Sequence, residues 1–236
     1  MKKILPVCAI LLLIFGCKKD VATTPHVPFV YTDSVADIDG NYYHTITIGS
    51  QIWLAENLRT TRFQNGDAIF NHTSSGTWSY VTTPAYVVYK NDSVAGNIYG
   101  NLYNYWAVND SRNICPPGYH VPGYYEWQLL ISVLGNSSSD KIREYGSKHW
   151  FRPNDNATDE YGFAALPGGF RPDYGEYENV RLNGYFWTAS HYIPSSPSFP
   201  QAWYVKLSSD LNADQPTIGL DYISYVTGFS VRCIKD

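Results

Sequence analysis

The chain is poor in cysteine, methionine and charge: 4 Cys, 1 Met and 16% Asp, Glu, Lys and Arg in 236 residues. A net charge of -4 with no basic run argues against nucleic acid as a partner. No GxSxG, HExxH or Walker sequence occurs, so the common signatures of serine hydrolases, zinc peptidases and nucleotide-binding enzymes are missing. After residue 15 no apolar run is long enough to cross a bilayer. Plentiful instead are Tyr (21) and Trp (7), a composition suited to an extracellular, β-rich or loop-rich protein.

The N-terminus carries Lys2-Lys3, an apolar run from Ile4 to Phe15, then Gly16-Cys17. As a helix that run would reach roughly 18 Å, short of a ~30 Å hydrocarbon core. It reads as a lipoprotein signal peptide over residues 1–16, cleaved before Cys17, whose sulfur takes the lipid. A transmembrane anchor and a plain cleaved signal are the alternatives. Lys18, rather than Asp, directs such a lipoprotein to the outer membrane under the enterobacterial sorting rule. Residues 17–36, with Pro25 and Pro28, form a lipidated tether. Losing Lys2 and Lys3 with the signal takes the charge from -4 to about -6. The remaining length suits one domain with a sizeable core.

Cys8 falls in the signal and Cys17 takes the lipid, which leaves Cys115 and Cys233. In an oxidising compartment their simplest state is a disulfide closing a very long loop. Two buried free thiols remain open. A zinc site would need a second Cys/His pair beside Cys115 and His120.

Asp39-Gly40-Asn41 signals a turn, and residues 43–48 alternate as a strand. Residues 60–97 read as long loops with short strands. Trp127, Leu130, Ile131 and Leu134 form one apolar stripe, predicting a helix over Tyr124–Leu134, with a weaker one over Asp140–Tyr145. Residues 185–188, 203–207 and 229–233 predict strands, the first two separated by an exposed loop with Pro194, Pro197 and Pro200. The class is α+β.

Eight segments in order then resemble one family: Asp37-Ile-Asp-Gly-Asn41, the run from Gly49 to Leu58, Leu102-Tyr-Asn-Tyr-Trp-Ala107, Cys115-Pro-Pro-Gly-Tyr-His-Val-Pro122, Glu126-Trp127, the run from Gly162 to Arg171, Gly184-Tyr-Phe-Trp-Thr188 and Gly228-Phe-Ser-Val-Arg-Cys233. The chain looks like a Fibrobacter succinogenes major paralogous (FISUMP) domain over 37–236. Such domains are common in exported lipoproteins of Gram-negative bacteria. The resemblance implies a C-type-lectin-like fold, similar also to formylglycine-generating enzymes: a small twisted antiparallel sheet, one or two helices and long loops. It adds support for a Cys115–Cys233 bridge. The copper-binding cysteine pair of the related oxidases is absent, so that activity does not carry over.

Each candidate site has a plainer alternative. His120 reads as a hydrogen-bonded structural histidine before a catalytic base. Asn154, Asp155, Asn156, Asp159 and Glu160 are clustered oxygens that could hold Ca2+, or a solvated loop. No other cofactor is expected. Asp33-Ser34-Val35 and Asp92-Ser93-Val94 resemble O-glycosylation sequons, making Ser34 and Ser93 candidates. Tyr192 and Phe199 in the Pro-rich loop, and Trp78, Tyr80 and Tyr86 in an earlier one, are candidate ligand contacts, because aromatic faces stack on sugars and anchor protein interfaces. Trp187 and Trp203 read as core. The sequence therefore points to an outer-membrane lipoprotein with a non-catalytic surface domain binding glycan or protein. A structural envelope protein and an enzyme of unknown type are the alternatives.

Overall fold

The computed structural model describes residues 27–135, 138–193, 199–209 and 218–236. The lipobox, Cys17, Pro194 and Pro197 lie outside these residues. The architecture is mixed α+β, mostly antiparallel strands with a few short helices. In chain order these are β1 (Asp33–Ala36), β2 (Tyr42–Ile48), β3 (Gln51–Leu54), β4 (Phe70–Asn71), β5 (Ala85–Val88), α1 (Ser93–Tyr99), β6 (Asn101–Tyr103), α2 (Tyr105–Val108), β7 (Tyr119–His120), α3 (Tyr124–Leu134) and α4 (Ser138–Ile142). There follow β8 (Gly168–Phe170), β9 (Glu178–Val180), β10 (Asn183–Tyr192), β11 (Gln201–Ser208), β12 (Ile218–Ser224) and β13 (Ile234–Lys235).

One small sheet was expected, and the described strands divide among four. The largest runs β1-β2-β3-β13-β7, all antiparallel. A second is the antiparallel meander β10-β11-β12. In β4-β5-β6 the first pair is parallel, and β8-β9 stands alone. Order begins before residue 37, where the tether was expected to end. β1 pairs with β2, and the Tyr31 ring stacks on His44 at 4.6 Å while its hydroxyl donates to the Gly162 carbonyl. The β1–β2 turn is closed by Asp37, whose carboxylate accepts from the Asp39 and Asn41 N–H groups and from the Tyr43 hydroxyl at 2.6 Å.

Helix α3 forms where the apolar stripe predicts it. Trp127, Leu130 and Leu134 are buried, with Trp127 against Trp53 at 4.8 Å and Phe186 at 5.7 Å. Gly123 has no side chain to cap the helix. Glu126 instead accepts from the Gly123 N–H at 2.7 Å, and Ser190 of β10 accepts from the Tyr124 N–H at 2.9 Å. The second helix, α4, is shorter than expected and ends at Ile142.

The strand expected over 229–233 is not a ladder. Residues 228–230 are extended but make isolated bridges to three partners: Gly228 to Arg171, Phe229 to Tyr103 and Ser230 to Phe186. This segment threads between sheets, so no single neighbour runs along it. Phe229 sits in a cage of Tyr185, Trp187 and Tyr204, with centroids 4.7 to 5.2 Å away. The Cys115–Cys233 disulfide is formed beside it, in the same apolar cluster.

Three arginines are also interior: Arg143, Arg171 and Arg232. Arg143 pairs with Asp140. Arg232 is held by carbonyls and rings instead. It donates to the Leu54, Phe163 and Ala164 carbonyls and the Asn57 side chain, and lies 4.5 Å over the Phe163 ring. Burial lowers its pKa to about 10, against the fields of Glu56, Tyr31 and Asp159.

Candidate functional site

An open groove of ≈ 730 Å³ lies where four distant segments meet. Ser79, Asp173, Tyr174, Phe199, Gln201 and Ser224 are among its lining residues. Phe199 is 81% exposed and Tyr174 61% exposed. Tyr80, next to Ser79, is 80% exposed. Most other large aromatics of the domain are covered, so these rings are available to a ligand.

Arg171 fixes the groove. Its Nε donates to the Gly175 carbonyl at 3.0 Å, and its Nη1 and Nη2 donate to the His72 and Ser74 carbonyls at 2.8 Å each. One guanidinium thus ties the 72–74 loop to the turn that carries Asp173 and Tyr174. The turn needs Gly175: its φ is +91°, and a Cβ there would meet the Ser75 carbonyl oxygen at 2.4 Å. The Tyr174 hydroxyl donates to Glu178.

Gln201 and Ser224 of the groove belong to a sheet that carries further aromatics. Tyr192 is the register partner of Gln201, and Gln201 of Ser224. Antiparallel partners present side chains to one face. Two residues along, Trp203 opposes Tyr222. Tyr192 stacks flat on Tyr222 at 3.6 Å, and both meet Trp203 edge-on. Of the two rings expected together in one loop, Phe199 lines the groove and Tyr192 lies on the sheet beside Gln201.

Two expected contacts are corrected. Trp78 is fully buried with Arg171 stacked over it at 4.4 Å, so it forms structure under the groove and offers no face to a ligand. Tyr86 is also buried, with its ring 6.2 Å from Tyr103. Conversely Trp203, expected in the core, is only partly buried. Trp187 is fully buried, and its indole N–H donates to the Tyr103 carbonyl at 2.7 Å.

Residues 46–235 match the family model of the Fibrobacter succinogenes major domain. The chain belongs to this family. No curated protein and no solved structure matches it.

Within this FISUMP domain the oxygen-rich loop does not assemble a calcium site. The buried Asn154 amide donates to the Glu144 and Gly146 carbonyls, Asp159 accepts from the Ala164 N–H at 2.7 Å, and Glu160 lies 3.7 Å from Lys141, while Asp155 is exposed. Only Asp159 and Glu160 use their oxygens to hold the loop, while Asn154 acts through its amide nitrogen. Among the described residues no group of three His, Cys, Asp or Glu side chains could hold a metal ion. Burial pushes the Asp159 carboxyl up to about 7, against the Ala164 N–H and the field of Arg232.

His120 bridges Glu126 at 3.0 Å and Asp236 at 2.7 Å. Burial alone would lower its pKa, but the hydrogen bonds to both carboxylates outweigh it and raise it. Ser34 lies in β1 and Ser93 opens α1, both exposed. Asp92 of that second sequon accepts from the Val94 N–H, capping α1. Asp173 and the fastening role of Arg171 carried no sequence signal for a site. Tyr174 could have been found only as an aromatic in a Pro/Asp/Gly turn.

Proposed function

We propose that this domain recognises glycans, non-catalytically, on the outer membrane of a Gram-negative cell. One observation carries the reading: exposed aromatic rings from distant segments border one long groove with Asp173, Gln201 and Ser224 among them. Rings supply faces for sugar C–H groups, and the carboxylate and amide supply acceptors and donors for hydroxyls. The architecture is C-type-lectin-like in this proposal, supported by the antiparallel sheets, the flanking α3 and the long loops. The anchor is the lipid on Cys17. Tyr31 is docked on the domain, and the chain between it and Cys17 could reach at most roughly 50 Å.

A glycan array probed with the full chain in detergent tests this. Wild-type protein should bind a subset of glycans, and Phe199→Ala should weaken binding about tenfold. No binding by folded protein, or binding indifferent to both Phe199→Ala and Tyr174→Ala, would overturn the reading. Envelope pull-downs would then look for a protein partner.

A further inference from the structure

The groove draws its lining from four segments, and three of them carry no formal charge. Residues 68–89, which supply Ser79, residues 182–205, which supply Phe199 and Gln201, and residues 222–231, which supply Ser224, contain no Lys, Arg, Asp or Glu. All the charge arrives with the fourth. From Arg171 to Glu178 there is one cation against three carboxylates, those of Asp173, Glu176 and Glu178. Of these four side chains only Asp173 lines the groove.

The others are already committed. Arg171 is fully buried and gives its Nε, Nη1 and Nη2 to backbone carbonyls, so it cannot reach a ligand, and Glu176 lies within its field. Glu178 accepts from the Tyr174 hydroxyl. Asp173 is exposed, and among the described residues its carboxylate has neither a hydrogen-bond donor nor an ion-pair partner. Such a carboxylate attracts a cation and repels an anion. The rings favour the same sign. An aromatic face carries negative charge density, so Phe199 and Tyr174 welcome an ammonium group and disfavour a carboxylate.

We propose that the groove selects glycans carrying a free, protonated amine over glycans carrying carboxylate or phosphate, with Asp173 setting the preference. This rests on the glycan reading of the groove and adds the class of sugar. A sugar amine meets Asp173 in a charge-assisted hydrogen bond, and the C–H face of the same sugar stays free to stack on a ring. Gln201 and Ser224 each offer a donor and an acceptor, which suits uncharged hydroxyls. N-acetylation removes the charge that Asp173 recognises. A uronate in its place sets two carboxylates against each other.

Calorimetric titration of the full chain in detergent tests this, in mildly acidic buffer where sugar amines hold their protons. The probes are a glucosamine trimer, its fully N-acetylated counterpart, a galacturonic acid trimer and trilysine. The glucosamine trimer should bind about tenfold more tightly than the acetylated one, and the uronate trimer should not bind. Asp173→Asn, at an exposed position with no partner to lose, should bring the glucosamine and acetylated trimers to equal affinity. Phe199→Ala should weaken both. Equal affinities in the wild type, or a preference that survives Asp173→Asn, would overturn the charge assignment and leave the glycan reading standing. A preference for the uronate trimer would do the same. Trilysine bound as tightly as the glucosamine trimer would overturn the assignment in favour of a basic peptide. Folded protein that binds no sugar would overturn the glycan reading and this proposal with it.

Discussion

The aromatic residues of the interior and those of the groove are the same residue types under opposite constraints. Inside, each ring is fixed on several sides: Phe229 by four aromatic neighbours, Trp187 by Tyr105, Phe229 and the Tyr103 carbonyl, Trp78 by the Arg171 guanidinium and the His72 ring. At the groove, Phe199 is 81% exposed and Tyr174 is tethered through its hydroxyl, which leaves its ring largely free. The comparison teaches that aromatic abundance does not by itself identify a binding surface here. What distinguishes the two populations is whether a polar group or a second ring has already claimed the face.

The sharpest way to break the contrast is to truncate an interior ring. Trp187→Ala should cost about 3–5 kcal/mol in urea melts, because a fully buried indole leaves a cavity and one hydrogen bond to the Tyr103 carbonyl is lost. Cys115→Ser with Cys233→Ser should cost about 2–5 kcal/mol, since the bridge closes a separation of 118 residues.

Asp159→Asn probes a buried group of another kind. The folded pKa of Asp159, about 7, lies above its unfolded value near 4. The folded state therefore holds the proton more tightly, and this contribution to stability is lost as pH rises from about 4 to 7. In melts from pH 4 to 8 the Asn variant should lose that part of the decline and gain stability relative to wild type at pH 8. An unchanged pH profile would mean that Asp159 titrates normally.

The smallest effect on stability is expected at the groove. Phe199→Ala should change the unfolding free energy by no more than ~0.5 kcal/mol while weakening glycan binding about tenfold. A large loss of stability there would place Phe199 with the interior rings and erase the distinction.

Helix α3 was legible because its apolar stripe has one period and one buried face, and β10 and β11 because their alternation survives in sequence. Helix α1 was not. It carries Gly96 in its middle, and the reason is tertiary: a Cβ there would meet a Val88 methyl carbon at 2.9 Å. Strand β12 also went unread, since it is an edge strand with little buried side chain. Trp78 looked exposed because its neighbours in sequence are polar, and residues distant in sequence, Leu102, Val226 and Arg171 among them, bury it. The groove was illegible for the same reason. Its lining comes from four segments far apart in sequence, one of them a turn fastened by Arg171, and no local pattern announces them.

The position of β13 sets the timetable of folding. This strand lies between β3 and β7, and the Leu54 N–H donates to the Cys233 carbonyl, so the central sheet closes only when residues near 50 and near 234 meet. Such non-local pairing makes folding slow and keeps apolar strands uncovered until synthesis has run through the final segment. The β1–β2–β3 hairpins can pair early, but the place between β3 and β7 is held open for the last strand to be made.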